Sequence, residues 1–288
     1  MQPSTPDIES LPPRPQQLIV SIFGLYARTG ADHRGALPVS GLIRLLAEVG
    51  VESAAVRSSV SRLKKRGVLN SAKVDDQAGY ALASDLQDVF TEGDERIFGA
   101  RRAEAGDPWL LVSFTVPESQ RNLRHRIRRL LSGRGFGSVA AGLWIAPAWL
   151  HESTAKELAH QELDAYVDFF EAQPAGATDI AERMATWWDL PALSAQYQNF
   201  LTDWAPVQQR WQQATGVDQR QAFSDHLQLV TEWRRLPYLD PGLPLAHLPE
   251  PWPGQEAAEL FTDLHRRLAP PAGEHALTAL GHSGDRQS

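Results

Sequence analysis

Residues Ser53–Gly67 read SAAVRSSVSRLKKRG, and the reading of this stretch decides the fold of the front half. At helical spacing Val56, Val60 and Leu63 fall on one stripe. Ala54, Ser58, Ser61 and Lys65 fall on the opposite face, flanked by Arg57 and Arg62. Small residues let a helix come close to a surface, and arginines supply forked donors. That is the chemistry of a helix laid in the DNA major groove. A solvated basic helix has the same pattern, so the flanking sequence has to separate the two.

Upstream, Leu18, Ile22 and Leu25 mark a first helix over Gln16–Tyr26, and ARTGADHRGALP reads as a loop. Leu37-Pro38-Val39 is a short extended piece. Ser40 then suits an N-cap for a second helix whose Leu42, Leu45, Leu46 and Val49 face inward, with Gly50 as its stop. Downstream, VLNSAKV and YALAS alternate around the polar turn DDQAG, the pattern of a β-hairpin. Helix, short strand, helix, turn, basic helix and hairpin is the order of a winged helix-turn-helix. The hairpin tip carries Asp75 and Asp76, which repel phosphate and leave Lys73 as the basic contact of the wing. The expected DNA-facing set is therefore Arg57, Ser58, Ser61, Arg62 and Lys65, with Lys64, Arg66 and Lys73 on phosphates and Arg34 reaching the backbone from the loop.

Charge supports this division. The chain of 288 residues carries a net charge of -7. Yet Arg14 to Lys73 holds ten Lys and Arg against three acids, whereas Leu150 to the end holds nine against twenty. A basic front and an acidic rear confine contact with a polyanion to the front. The length suits two or three domains. The absence of cysteine removes disulfides, thiol nucleophiles and cysteine metal sites. No apolar run reaches membrane-span length and the N-terminus has no signal architecture, so a cytoplasmic protein is expected.

The organisation expected is α+β. A proline-rich disordered tail covers residues 1–15, and the winged helix-turn-helix with a connecting helix, Ser84–Phe98, covers 16–100. WLLVSFTV, the arginine-rich helix SQRNLRHRIRRLLSGRG, the strand material GSVAAGLWIAP, the helix His151–His160 and the strand AYVDFFEAQ give the order β-α-β-β-α-β over 106–175. That order suits a ferredoxin-like domain. Residues 176–275 form a helical region holding six of the nine tryptophans, and 276–288 a flexible tail.

A search for catalytic chemistry returns little. The histidines are scattered, no helical zinc motif is present, and no nucleophile elbow, phosphate loop or dinucleotide fingerprint occurs. The strand Trp109–Val116 contains no Asp, where some ferredoxin-like nucleases place a metal ligand. No metal or cofactor is therefore expected, and no enzymatic activity. The arginines of 121–129, among them Arg124 and Arg128, admit three readings: a solvated face, added DNA-backbone contact, or an anion site. Trp187 and Trp188 suit an aromatic pocket or simple core. Arg234 and Arg235 beside Trp233 suit a carboxylate or phosphate, or a solvated helix end.

The segment Leu18–Ala83 resembles the N-terminal domain of the PaaX family of bacterial transcriptional repressors. The resemblance is carried by Leu25-Tyr26, His33-Arg34-Gly35, Val56-Arg57, Arg62-Leu63 and Gly67. It continues through Trp109-Leu110-Leu111 and Gly135-Phe136-Gly137 to Asp240-Pro241, Leu243-Pro244, Leu248-Pro249, Trp252 and Gly254. The resemblance implies a homodimeric regulator with a winged helix-turn-helix, a Cas2-like ferredoxin domain and a helical C-terminal domain. It further implies repression of phenylacetate catabolism and release from operator DNA by an aryl-acyl-CoA such as phenylacetyl-CoA. Two other classes stay open at this point: a metal-dependent nuclease built on the Cas2-like domain, and a scaffold whose basic helix binds an acidic partner protein.

Overall fold

The computed structural model describes residues 15–28, 35–74, 76–99, 101–175 and 179–281. The chain divides into two units. The first comprises the chain up to Thr91 together with Val207–Glu232 and the segment from Phe261; the second comprises Glu92–Pro206 and Trp233–Leu260. The expected helical region 176–275 is thus shared between both.

In the first unit, helix α1 (Pro15–Ile22) continues as a π-turn over Phe23–Ala27. Pro15, assigned to the disordered tail from sequence, starts this helix, where its missing N–H costs nothing. The wider π-turn shifts the inward face by a residue, so Tyr26 is buried where Leu25 was expected. Strand β1 (Ala36–Pro38) leads into α2 (Val39–Glu48) and α3 (Ser53–Lys65). Ser40 is not the N-cap of α2: that position is Pro38, and the Ser40 hydroxyl donates to Gln77 Oε1 at 3.0 Å. Gly50 and Gly67 end α2 and α3 at φ 79° and 72°, a conformation that suits glycine.

β2 (Leu69–Val74) and β3 (Gln77–Leu82) form the expected hairpin, and the sheet order is β1-β3-β2, antiparallel throughout. The turn is tighter than expected, because Val74 already pairs with Gln77. Gly79 therefore lies inside β3 rather than in the turn. A Cβ there would sit 2.8 Å from the Leu37 carbonyl oxygen, so glycine is what lets β1 close onto β3.

The core of this unit is made by both ends of the chain. Leu18, Ile19, Ile22, Phe23, Leu42, Leu45, Leu46, Val56, Val60 and Leu63 pack with Phe223 and Leu227 of α9 (Gln219–Trp233). They also pack with Ala272, Ala276 and Leu280, contributed by α11 (Pro253–Ala279) and the residue after it. Helix α11 runs through Pro270 and Pro271 and through the start of the expected flexible tail. Each interior proline costs about 3 kcal/mol. Leu264, Leu268, Ala272, Ala276 and Leu280 recur every four residues and are all buried, and a buried leucine contributes about 1.5–3 kcal/mol. That stripe holds the helix together across the two prolines.

The second unit opens within α4 (Gln87–Phe98) and contains β4 (Trp109–Phe114), α5 (Arg121–Gly133), β5 (Gly137–Ala140), β6 (Leu143–Pro147), α6 (His151–His160) and β7 (Val167–Ala172). The sheet order β5-β6-β4-β7, all antiparallel, is the ferredoxin-like arrangement. Strand β4 is apolar almost throughout because it is covered on both sides. Leu110, Val112 and Phe114 pack with Ile127, Leu131 and Leu158 of the two helices. Trp109 packs on the other side with Met184, Trp188 and Leu243, which brings in α7 (Ile180–Trp187). Helix α8 (Leu190–Gln213) and the short α10 (Leu236–Leu239) complete the chain. Asp240, quoted above for the resemblance, is a buried hub. Its carboxylate accepts from Arg102 Nη2 (3.0 Å), Tyr197 Oη (3.1 Å) and the amides of Gly242 and Leu243 (2.9 and 3.2 Å). The fold as a whole is α+β.

Candidate nucleic-acid interface

Helix α3 is locked in rotation by Val56, Val60 and Leu63, which are at most 3 % exposed. Ser59, unremarked in the sequence, is buried with them. This rotation turns Ala54, Arg57, Ser61, Arg62, Lys64 and Lys65 to solvent, with Ser58 half-buried at the margin. Arg62, Lys64 and Lys65 occupy the last turn, where cations complement the negative end of the helix dipole. Arg66 is the C-cap and is exposed.

Two of these cations are placed by neighbours. Arg62 Nη2 donates to Ser58 Oγ at 2.7 Å, one turn back, which lays the guanidinium along the outward face. Lys64 Nζ donates to Ser71 Oγ of β2 at 2.8 Å. Both bonds are exposed, so exchanging them for phosphate oxygens costs little. Arg57 has no polar partner among the described residues. Lys73 is exposed on β2, opposite Ala78, and Asp76 is exposed at the turn with φ 61°. Arg34 and Asp75 lie outside the described residues. The structure thus places Arg57, Ser58, Ser61, Arg62, Lys64, Lys65 and Arg66 on one helix and its end, with Lys73 on the adjoining hairpin.

The sequence reading missed what stands behind this helix pair. The His275 ring nitrogen lies 2.8 Å from Glu48 Oε2, with Arg220 at 3.8 Å from the same carboxylate. Arg44 donates to the Ala279 carbonyl. A Cβ on Gly41 would sit 2.9 Å from the Leu280 side chain, so α2 and the end of α11 are in close contact. Deeper in, the Tyr26 hydroxyl lies 3.0 Å from His226 Nδ1, and His226 Nε2 lies 3.0 Å from His265 Nδ1. Burial, with His265 adding to it, pushes the His226 imidazole down to about 3, so it is neutral. Burial also lowers His265 and raises the Tyr26 phenol. The only signal in the sequence was the four-residue apolar stripe of α11 continuing past its prolines.

The expected ligand residues sit in different settings. Arg124 donates to the Val116 carbonyl at 3.2 Å and faces Glu118 at 3.5 Å, while Arg128 is exposed on α5. The Trp188 indole N–H donates to the Gly135 carbonyl at 2.8 Å, and its ring lies where a Cβ on Gly137 would come within 2.7 Å. Trp187 is half-buried against it, with ring centroids 6.2 Å apart. Arg234 is half-buried, and burial lowers its pKa; Arg235 is exposed.

Fold and surface together define an α+β protein with an outward cationic helix in one unit and a ferredoxin-like sheet in the other. Three family models match in chain order: the PaaX-like protein model at residues 14–86, the PaaX central Cas2-like domain at 102–184, and the PaaX-like C-terminal domain at 188–278. The chain belongs to the PaaX family. It is 26% identical over 271 residues to the transcriptional repressor PaaX of Escherichia coli (strain K12), covering 92% of this chain and 84% of that protein. In fold it is similar to the solved structure of an uncharacterized protein, Rv0674, from Mycobacterium tuberculosis. There the TM-score is 0.56 at 21% identity, over 90% of this chain and 97% of that one.

Proposed function

We propose that this protein is a DNA-binding transcriptional repressor whose first unit is a winged helix-turn-helix and whose α3 is the recognition helix. The observation that carries the reading is the rotation of α3. Its apolar stripe is buried, and the opposite face presents small residues between Arg57 and Arg62. Arg57, Ser58, Ser61, Arg62 and Lys65 face the major groove. Lys64, Arg66 and Lys73 meet phosphates, and Arg34 touches the backbone from the preceding loop. The repressor role named for the Escherichia coli relative supports this reading.

A homodimer places two such helices about 34–36 Å apart on a palindromic operator. On the family resemblance we take the effector to be an aryl-acyl-CoA such as phenylacetyl-CoA, and the target to be an aromatic-acid catabolic operon in the cytoplasm. Release is a population shift, in which the effector binds the DNA-incompetent state more tightly. A hundredfold loss of DNA affinity needs about 2.7 kcal/mol of such coupling. Arg124, Arg128, Trp187, Trp188, Arg234 and Arg235 are the side chains first to be tested for effector contact.

The test is a footprint on the DNA upstream of the protein's own gene, repeated with Arg57→Ala and Arg62→Ala and with aryl-acyl-CoA thioesters and their free acids. Loss of the protected site in both variants and release by one thioester are expected. Unchanged affinity and an unchanged salt slope in both variants would remove α3 from the interface.

A further inference from the structure

Arg96 of α4 lies inside the second unit with only 7 % of its surface exposed. Its Nε donates to the Pro237 carbonyl at 2.9 Å and its Nη2 to the Arg134 carbonyl at 2.6 Å. Both acceptors are neutral. The nearby carboxylates are engaged elsewhere, Glu92 by Arg134 and Asp240 by Arg102. The third donor group, Arg96 Nη1, is buried with no hydrogen-bond partner among the described residues. The same holds for the indole Nε1 of Trp149, in the turn Ala148–Leu150 that precedes α6.

These two orphan donors belong to one cluster. The Arg96 guanidinium carbon stands 6.0 Å from the Trp149 ring centre and 4.6 Å from that of Tyr238. A second guanidinium, the exposed Arg101, lies 5.1 Å from the Trp149 ring centre. The cluster therefore holds a buried cation with no hydrogen-bonded carboxylate, a second cation at its edge and two donors without an acceptor, all counted among the described residues. A buried unmatched charge is costly, and an unmet buried donor adds to that cost. A water molecule satisfies donors but leaves the charge; an oxyanion answers both.

We propose that Arg96 Nη1 and Trp149 Nε1 are the donor pair of an oxyanion site, with Tyr238 beside it and Arg101 at its solvent edge. The site takes the carboxylate or phosphate group of a small molecule. It uses none of the side chains named above for effector contact, although the charge of Arg234 reaches its Tyr238, and it rests on the repressor reading only for its consequence on DNA, not for binding itself.

The experiment uses the full chain without DNA. Thermal melting is compared in chloride, inorganic phosphate and acetate at equal ionic strength, and the anion that stabilises is then titrated. Phosphate or acetate raises the melting temperature above chloride along a saturating curve, which separates site binding from the unsaturating rise these ions give by exclusion from the surface, and the one that saturates identifies the group bound. Trp149→Phe keeps the ring and removes the N–H; Arg96→Lys keeps the charge and removes the fork. Each weakens the anion by about tenfold or more. As a measurement independent of variants, one indole N–H resonance of the 15N-labelled protein shifts on anion saturation. The proposal is overturned if neither anion stabilises beyond chloride, if no indole resonance moves, or if both variants bind as the natural chain does. A failed footprint with intact anion binding would sink the repressor reading and leave this site standing.

Discussion

Acidification from pH 7 to pH 5 removes about 2 kcal/mol of stability from the first unit through His226 alone. In the folded protein His226 is 1 % exposed and both ring nitrogens are engaged, by Tyr26 and by His265. Burial holds its pKa at about 3, against 6.5 for the ordinary imidazole. The unfolded chain therefore takes up a proton below pH 6.5, and the folded chain does not until about pH 3. Proton uptake favours unfolding across that whole window, so the stability present above pH 6.5 is lost as the pH falls. At 1.36 kcal/mol per pH unit, the stretch from 6.5 to 5 gives about 2 kcal/mol. His265, also lowered by burial, acts in the same direction. The measurement is equilibrium urea unfolding at pH 7, 6 and 5 for the natural chain and His226→Gln. The natural chain should lose midpoint steadily, and the variant should lose about 2 kcal/mol less. A variant that loses as much as the natural chain would refute the assignment of this pH dependence to His226.

Deletion of residues 276–288 should lower the melting temperature and the DNA affinity together, because it removes Ala276 and Leu280 from the core beneath α2 and α3; a tail that only hangs free would change neither. Asp240→Ala strips the acceptor from Arg102, Tyr197 and two amides and should cost about 3–5 kcal/mol in urea unfolding. Gly137→Ala drives a methyl into the Trp188 ring and should cost about 1–3 kcal/mol, read by thermal melting. Lys64→Ala and Lys73→Ala should weaken binding to all DNA sequences alike and each reduce the salt slope by about one, measured by titrating affinity against salt.

What was legible in the sequence was local. The stripe Val56, Val60 and Leu63 is set by the period of one helix, and it places Arg57 and Arg62 outward without reference to anything distant. The strand Trp109–Phe114 was legible for the same reason, since cover on both faces needs an apolar residue at nearly every position. Long-range events were not legible. Nothing near Gly79 says that Leu37 will press against it, so the residue read as a turn glycine. Nothing near Ser40 says that Gln77 will take its hydroxyl. The packing of Phe223, Leu227 and Leu280 on the N-terminal helices spans some two hundred residues, and a helical rear region looked self-contained without it. The exposure of the basic face of α3 was legible, but the bond that lays Arg62 along it was not. Arg96 drew no reading of its own within the connecting helix, because Trp149 and Tyr238 are remote in sequence.

The two-ended core of the first unit has a consequence for synthesis. Thr91 leaves the ribosome about 190 residues before Leu280. At about 5–20 residues per second that interval is roughly 10–40 seconds. During it the N-terminal helices exist without the side chains that finish their core. On the function proposed above, a prematurely terminated product lacks the core behind α3 and is expected to leave the operator empty, which a footprint with a chain cut before Phe223 would check.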